Sequence, residues 1–126
     1  MKKILVIEDE PSIRENILEL LEIENFEGIG AENGQVGLHL AKTQRPDLIL
    51  CDVLMPGLDG YGVLQALRQE TATAAIPFIF LTGKASKTDF CQGTEMGAHD
   101  YLTKPFTRAD LLNALAERLP RSPSAV

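Results

Sequence analysis

Leu48-Ile49-Leu50-Cys51-Asp52 is a continuous apolar run that ends in a carboxylate. An apolar run without alternation is typical of a parallel strand that is buried on both faces of a sheet. An isolated charge is costly to bury unless it is paired or binds a metal ion. The run therefore predicts a central strand with a chemically active acid, Asp52, at its C-terminal tip.

Four further short apolar runs alternate with amphipathic stretches along the chain. The five predicted strands span residues 3–7, 26–31, 48–51, 78–81 and 99–102. Strands that alternate with helices through short connections predict a parallel sheet with right-handed crossovers and helices on both faces. The chain is thus expected to adopt an α/β fold.

Helix signals occupy the stretches between these strands. The first helix is expected to begin near Pro11, where Asp9 or Glu10 would cap it, because proline suits an early helical position. The fourth helix is expected to be weak, since Gly93 within it costs about 1 kcal/mol relative to alanine. The second to fifth helices are predicted after Asn33-Gly34, over 61–70, around 87–95 and from about Thr107.

Composition limits the chain to one domain and excludes some functions. The 126 residues, 44% of them hydrophobic, can bury one core, expected over 1–119, with 120–126 as a disordered tail or the start of a linker. The net charge of −6 argues against direct nucleic-acid or membrane-surface binding by this segment. Cys51 and Cys91 lack metal or redox spacing, and no apolar run approaches ~18 residues, so a cytoplasmic location is expected.

Five reactive or ligating side chains fall at or just after predicted strand ends: Glu8, Asp9, Asp52, Thr82 and Lys104. Parallel strands end at one edge of the sheet, which is where open doubly wound sheets bind ligands. Each residue alone has an ordinary reading, such as a solvated helix start for the acids or a surface lysine for Lys104. Their joint occurrence at one edge is what predicts a site.

The chemistry of this set favours phosphoryl acceptance. Asp9 and Asp52 offer the hard oxygens that suit Mg²⁺, with Glu8 acting directly or through water. Asp52 would be the nucleophile and form an acyl phosphate. Mg²⁺, the Lys104 ammonium and the Thr82 hydroxyl would stabilise the phosphoryl oxygens.

The same residues carry a family resemblance. The chain resembles the receiver domain of bacterial two-component response regulators, and is similar to the chemotaxis response regulator, over roughly 2–119. The resemblance rests on Ile4-Leu5-Val6-Ile7-Glu8-Asp9-Glu10-Pro11, Asp52, Met55-Pro56, Asp59-Gly60, Leu81-Thr82 and Asp100-Tyr101-Leu102-Thr103-Lys104-Pro105-Phe106. It implies a flavodoxin-like (βα)5 fold, a doubly wound five-stranded parallel sheet with strand order 2-1-3-4-5.

The resemblance also implies roles for the site residues. Asp52 would be the phosphoacceptor, Glu8 and Asp9 the acids of a Mg²⁺ site, and Thr82 and Lys104 the phosphoryl-binding pair. The backbone carbonyl of residue 54, a leucine, would be a further ligand of Mg²⁺, for which Mn²⁺ is a substitute.

The implied switch and partners complete this interpretation. Tyr101 would turn inward when Thr82 is drawn to the phosphate, and this would alter the surface formed by the fourth helix, the fifth strand and the fifth helix. The peptide bond before Pro105 would be cis. A sensor histidine kinase or a histidine phosphotransfer protein would donate the phosphoryl group, docking near Leu18 and Pro56. A downstream effector protein or domain would read the switch, a phosphorylation-dependent homodimer is a further implied state, and no external substrate would be turned over.

Four alternatives compete with this interpretation. A flavin-binding flavodoxin would need a phosphate-cradling loop where Glu8-Asp9-Glu10 stands. A dinucleotide-binding domain would need a glycine fingerprint, which Gly28, Gly30 and Gly34 do not match, because the third glycine comes one position too late. An aspartyl phosphohydrolase would need a second acid at Leu54. The fourth alternative is a phosphorylation-independent interaction module of receiver shape.

Overall fold

The computed structural model describes residues 2–82, 100–103 and 106–119, apart from the side chains of Thr82, Asp100, Tyr101 and Thr103. These ranges contain a five-stranded parallel sheet with the order β2-β1-β3-β4-β5, so the predicted fold class and strand order are confirmed. The strands are β1 (Lys3–Ile7), β2 (Glu27–Ala31), β3 (Leu48–Asp52), β4 (Phe78–Thr82) and β5 (Asp100–Thr103). The helices are α1 (Pro11–Ile23), α2 (Gly34–Gln44), α3 (Gly60–Arg68) and α4 (Arg108–Arg118).

Helices cover both faces of the sheet, as a doubly wound fold requires. Because β1 and β3 are central and covered on both sides, their side chains are buried along the whole apolar run. The cluster on one face joins the strands to α2 and α3 through Leu5, Ile7, Ile49, Phe80, Ala41, Val63, Leu64 and Leu67. The cluster on the other face joins them to α1 and α4 through Ile4, Val6, Leu50, Ile17, Leu21, Leu111 and Leu115.

Several strand ends differ by one residue from the sequence prediction. β3 includes Asp52, whose backbone pairs in register with Leu81, and β4 extends to Thr82. Asp52 is therefore the last residue of β3 rather than part of the loop that follows. β5 covers 100–103 instead of 99–102.

Side chains cap three of the four helices within the described residues, and the predicted cap at Thr107 is confirmed. Asn33, Asp59 and Thr107 accept backbone N–H donors at the starts of α2, α3 and α4. Side-chain capping of α1 by Asp9 or Glu10 was wrong, because Glu10 occupies the cap position without a side-chain capping hydrogen bond. Its backbone N–H instead donates to Oε2 of Glu8 at 3.2 Å, which ties the helix start to the tip of β1.

The predicted fifth helix corresponds to α4, which begins with a capping box formed by Thr107 and Asp110. The predicted fourth helix, 87–95, and the predicted tail, 120–126, lie outside the described residues. No helix within the described ranges is long and apolar enough to cross a membrane.

Candidate functional site

Three carboxylates meet at the carboxyl edge of the two central strands. Glu8 and Asp9 directly follow β1, Asp52 ends β3, and the two strands are paired in parallel with Ile7 opposite Cys51. One carboxylate oxygen from each acid lies within 4.8 Å of those from the other two. The register of the sheet therefore brings Asp52 to Glu8 and Asp9, which precede it by more than forty positions in the sequence.

The acidic cluster combines buried and exposed ligands. Glu8 is 1% exposed and Asp52 is 8% exposed, whereas Asp9 is exposed. Carboxylates this close repel one another, and burial strengthens that repulsion because water screens it less. A hard divalent cation such as Mg²⁺ binds carboxylate oxygens and can keep waters on its open side. The donor set and its one exposed flank fit such a cation.

Glu8 is held at several points around its backbone and side chain. Its N–H donates to the carbonyl of Ala31 in β2 at 3.0 Å, and its Oε2 accepts the N–H of Glu10. Its carbonyl accepts a hydrogen bond from Nη1 of Arg14 at 2.8 Å. Sequence reasoning missed Arg14, although an arginine one turn into α1, just after an acidic pair, is a signal that could have found it.

The backbone of Asp52 is fixed by the start of α3. The N–H of Gly60 donates to the carbonyl of Val53 at 2.9 Å, and the N–H of Val53 donates to the carbonyl of Leu81 at 3.0 Å. A Cβ atom at residue 60 would lie 2.4 Å from the carbonyl oxygen of Asp52. Glycine is therefore required at residue 60, because any side chain would displace the strand that carries the acid.

Cys51 precedes Asp52 at the end of β3 but is not a reactive group. Its Sγ donates to the carbonyl of Asp52 at 3.3 Å, and the thiol is free and fully buried. Burial, and secondarily the negative charge of Asp52, raises the pKa of the Cys51 thiol well above its usual value of 9.0. A neutral thiol is a poor nucleophile and metal ligand. The second cysteine, Cys91, lies outside the described residues.

The remaining predicted site residues divide into those that are described and those that are not. Leu54 is 80% exposed in the loop after β3, and its backbone carbonyl as a metal ligand stays a prediction. Lys104 and Pro105 lie outside the described residues, and so do the side chains of Thr82 and Tyr101. Their predicted roles, including the cis peptide, stay predictions.

Leu18, one of the predicted docking residues, packs on the edge of the sheet. It is half-buried, and its side chain lies over Gly28 and Gly30 of β2. Pro56 is exposed in the loop after β3. A separate groove of about 610 Å³ runs along α1, and its lining includes Ile13, Leu20, Ile23 and Phe106 but not Leu18. Docking of a kinase near Leu18 and Pro56 stays a prediction.

Comparison with known proteins links this geometry to one family. A family model for the response regulator receiver domain matches residues 4–116. The protein PilH of Pseudomonas aeruginosa is 38% identical over 115 residues, which cover 91% of this chain and 95% of PilH. The chain also matches longer transcriptional regulators, of which it spans only about half the length. In two bacterial regulators the matched part is 53% of the whole protein.

Solved structures agree with the sequence matches. Chemotaxis protein CheY4 of Vibrio cholerae superposes with a TM-score of 0.91 and 32% identity, over 94% of this chain and 99% of that one. The receiver domain of the sensor histidine kinase PA1611 from Pseudomonas aeruginosa has a TM-score of 0.86 and 32% identity, over 93% of this chain and 95% of that one. The PA1611 structure has a magnesium ion coordinated in its active site cleft.

Proposed function

The chain belongs to the response regulator receiver domain family, and we propose that it is a phosphorylation-activated switch in which Asp52 accepts the phosphoryl group. The observation that carries this proposal is the cluster of Glu8, Asp9 and Asp52 at one edge of the sheet. Asp52 is the member of the cluster that stands on the central strand β3, with its backbone fixed by β4 and α3.

The proposed reaction is a transfer between an imidazole and a carboxylate. A carboxylate oxygen of Asp52 forms a bond to the phosphorus of a phosphohistidine, borne by a sensor histidine kinase or a histidine phosphotransfer protein. The phosphorus–nitrogen bond breaks, and its electron pair returns to the imidazole. The product is an acyl phosphate on Asp52, which water later hydrolyses to regenerate the carboxylate.

Glu8, Asp9 and Asp52 would hold Mg²⁺, together with the backbone carbonyl of Leu54. When bound, the ion supplies positive charge that offsets the carboxylates and the incoming phosphoryl oxygens. Glu8 serves this site from a buried position that its three hydrogen-bonding groups keep fixed, and exposed Asp9 leaves one side open to water. Preorganisation of this kind reduces the rearrangement needed when the phosphoryl group arrives.

The acyl phosphate would act as a switch through the second half of the sheet. Lys104 and Thr82 would bind the phosphoryl oxygens, and Tyr101 would follow Thr82 inward. Moving a population from mostly inactive to mostly active requires about 5.5 kcal/mol of differential stabilisation, which a few charge-assisted hydrogen bonds can supply. The surface formed by the predicted fourth helix, β5 and α4 would then present itself to an effector protein or domain.

No turnover of an external phosphate ester is proposed. The position two residues after the acceptor holds Leu54, which is apolar and 80% exposed and cannot serve as a general acid. Reactions at Asp52 are limited to its own phosphorylation and dephosphorylation.

The test is intact-protein mass spectrometry after incubation with acetyl phosphate, with and without Mg²⁺. We expect wild type to gain one phosphoryl group only when Mg²⁺ is present, and Asp52→Asn to gain none. Asp47→Asn is the matched control, because Asp47 lies just before the opposite end of β3, where it accepts the backbone N–H of Lys3 at 2.7 Å. Asparagine keeps an acceptor oxygen for that bond.

The outcomes separate the candidate functions. Loss of the adduct in Asp52→Asn but not in Asp47→Asn supports phosphoryl acceptance by Asp52. Absence of any adduct on folded wild-type protein, after rapid quenching, would contradict it and favour a phosphorylation-independent interaction module.

A further inference from the structure

We propose that Arg14 is a positioning residue that sets the cation affinity of the acidic cluster without touching the cation. This inference rests on the proposed function, because it takes Glu8, Asp9 and Asp52 as the cation ligands. It concerns a residue on α1, which contributes no carboxylate to the cluster.

Arg14 completes the fixation of the peptide that joins two ligands. Its Nη1 donates to the carbonyl oxygen of Glu8 at 2.8 Å, and that carbonyl belongs to the peptide between Glu8 and Asp9. The N–H on the other side of Glu8 is already bound to the carbonyl of Ala31 at 3.0 Å. With the peptide after Glu8 held from α1 and the peptide before it held from β2, the directions of the Glu8 and Asp9 side chains are restricted.

The contact made by Arg14 is geometric rather than an ion pair. Within residues 2–82, 100–103 and 106–119, the ion pairs are Lys42 with Glu70 and Arg108 with Glu24, and neither involves Arg14. The guanidinium therefore donates its hydrogen bond to a backbone carbonyl. A group that orients metal ligands from outside the coordination sphere typically changes metal affinity by 10–100-fold when it is removed.

The edge strand β2 makes room for the arginine stem. A Cβ atom at Gly30 would lie 3.3 Å from Cδ and 3.6 Å from Cγ of Arg14, and 3.0 Å from Cδ1 of Leu18. A Cβ atom at Gly28 would instead lie 2.8 Å from Cδ2 of Leu18 and 3.6 Å from Cδ1 of Leu21, and Arg14 is not among its three nearest neighbouring atoms. A side chain at Gly30 would therefore press on the arginine more directly than one at Gly28, although both glycines lie under α1.

Charge and position predict opposite results when Arg14 is replaced by methionine. Removal of the positive charge that contacts the Glu8 carbonyl should tighten the binding of a cation, by Coulomb's law alone. Loss of the bond to the Glu8 carbonyl should weaken cation binding, because two ligands lose their fixed direction. The sign of the change therefore identifies which effect governs the site.

The experiment is calorimetric titration of the folded protein with Mg²⁺ at constant ionic strength. We expect Arg14→Met to bind Mg²⁺ about tenfold more weakly than wild type, and Arg14→Lys, which keeps the charge and one donor, to lie between the two. Lys42→Met is the control for the loss of one positive charge, since Lys42 forms an exposed pair with Glu70 on α3's C-terminal side. Its affinity should stay within about twofold of wild type, because exposed pairs contribute little.

A second pair of variants tests the same contact without altering the arginine. We expect Gly30→Ala, which pushes on the stem of Arg14, to weaken Mg²⁺ binding by about threefold to tenfold. Gly28→Ala crowds Leu18 to a similar degree but leaves the arginine in place, and its affinity should match wild type. Unfolding by urea, followed by circular dichroism, establishes for each variant that the titrated protein is folded.

The results distinguish failure of this inference from failure of the proposed function. Equal or tighter Mg²⁺ binding by Arg14→Met and equal binding by the two glycine variants, with normal binding by wild type, would overturn the positioning role alone. No Mg²⁺ binding by folded wild-type protein would overturn both. Weaker binding by Arg14→Met and by Gly30→Ala, with Gly28→Ala unchanged, supports the inference.

Discussion

The two strands that flank β1 serve the same acidic cluster in different ways. β3 is buried at all five positions and ends in Asp52, whereas β2 is an edge strand in which only Ala31 is fully buried. Leu5 of β1 pairs in register with Ile49 of β3 on one side and with Ile29 of β2 on the other. The two strands thus offer matched positions in contrasting surroundings.

This contrast shows how one site uses two kinds of support. β3 holds its acid through burial, since side chains packed on both faces leave the strand tip little freedom. Gly28 and Gly30 of β2 have no side chains, so α1 can pack closely against this strand, and Arg14 of α1 reaches the carbonyl of Glu8. Strand β1, which leads to Glu8 and Asp9, thus lies between a well-packed strand and a sparsely filled one.

The largest expected effect compares Ile49→Ala with Ile29→Ala. Both side chains belong to the cluster under α2 and α3, but Ile49 is fully buried and Ile29 is half-buried. We expect a loss of about 4 kcal/mol in the free energy of unfolding for Ile49→Ala and about 1–2 kcal/mol for Ile29→Ala. Urea denaturation measures both.

Equal losses in the free energy of unfolding for Ile49→Ala and Ile29→Ala would contradict the difference in packing between β3 and β2. They would mean that β2 is packed as tightly as β3 on the face that α2 and α3 cover. Ile49→Val and Ile29→Val, each expected to lose less than its alanine counterpart, control for a global collapse of the larger deletion.

The second prediction concerns Gly60, which packs against the backbone of β3. Gly60→Ala places a Cβ 2.4 Å from the carbonyl oxygen of Asp52, which cannot move without displacing the strand. We expect a loss of about 3 kcal/mol in the free energy of unfolding, from overpacking against backbone. Gly62→Ala, two residues along α3, meets the flexible Cδ1 of Leu58 at 2.6 Å and should change stability by no more than about 1 kcal/mol. Similar losses in both variants would mean that the approach to Asp52 is not tight.

The smallest effect tests the burial of β3 through pH. The raised pKa of Cys51 means that the folded state keeps the thiol proton while the unfolded state loses it near pH 9.0. Stability is therefore fully present below that pH and falls as pH rises above it, by roughly 1 kcal/mol per pH unit for one such proton. Urea denaturation at pH 8 and pH 10 should give a smaller difference for Cys51→Ala than for wild type. An identical difference would argue against a buried, neutral thiol.

Sequence patterns predicted the parts of this molecule that follow from periodicity and from chain order. Continuous apolar runs identified β1 and β3, and the rule that parallel strands end at one edge predicted that Glu8, Asp9 and Asp52 would meet. Turn and cap chemistry located the starts of α2 and α4 at Asn33 and Thr107. These features depend on local residue types and on topology, both of which the sequence carries.

The supports of the site did not follow from the same patterns. The bond from Arg14 to the Glu8 carbonyl depends on the distance between α1 and β2, which Gly30 sets, and periodicity carries no such distance. Asp9 or Glu10 was expected to cap α1, but Glu10 stands at the cap position without a side-chain capping bond, and its backbone N–H donates to the Glu8 carboxylate.

We propose that Asp52, among three clustered carboxylates, accepts the phosphoryl group. Wild-type protein treated with acetyl phosphate and Mg²⁺ can be reduced with borohydride, which converts an acyl phosphate to an alcohol and releases phosphate. Peptide mass spectrometry should then find homoserine at residue 52, and unmodified side chains at Glu8 and Asp9. Reduction at Glu8 or Asp9, with residue 52 still an aspartate, would contradict the claim.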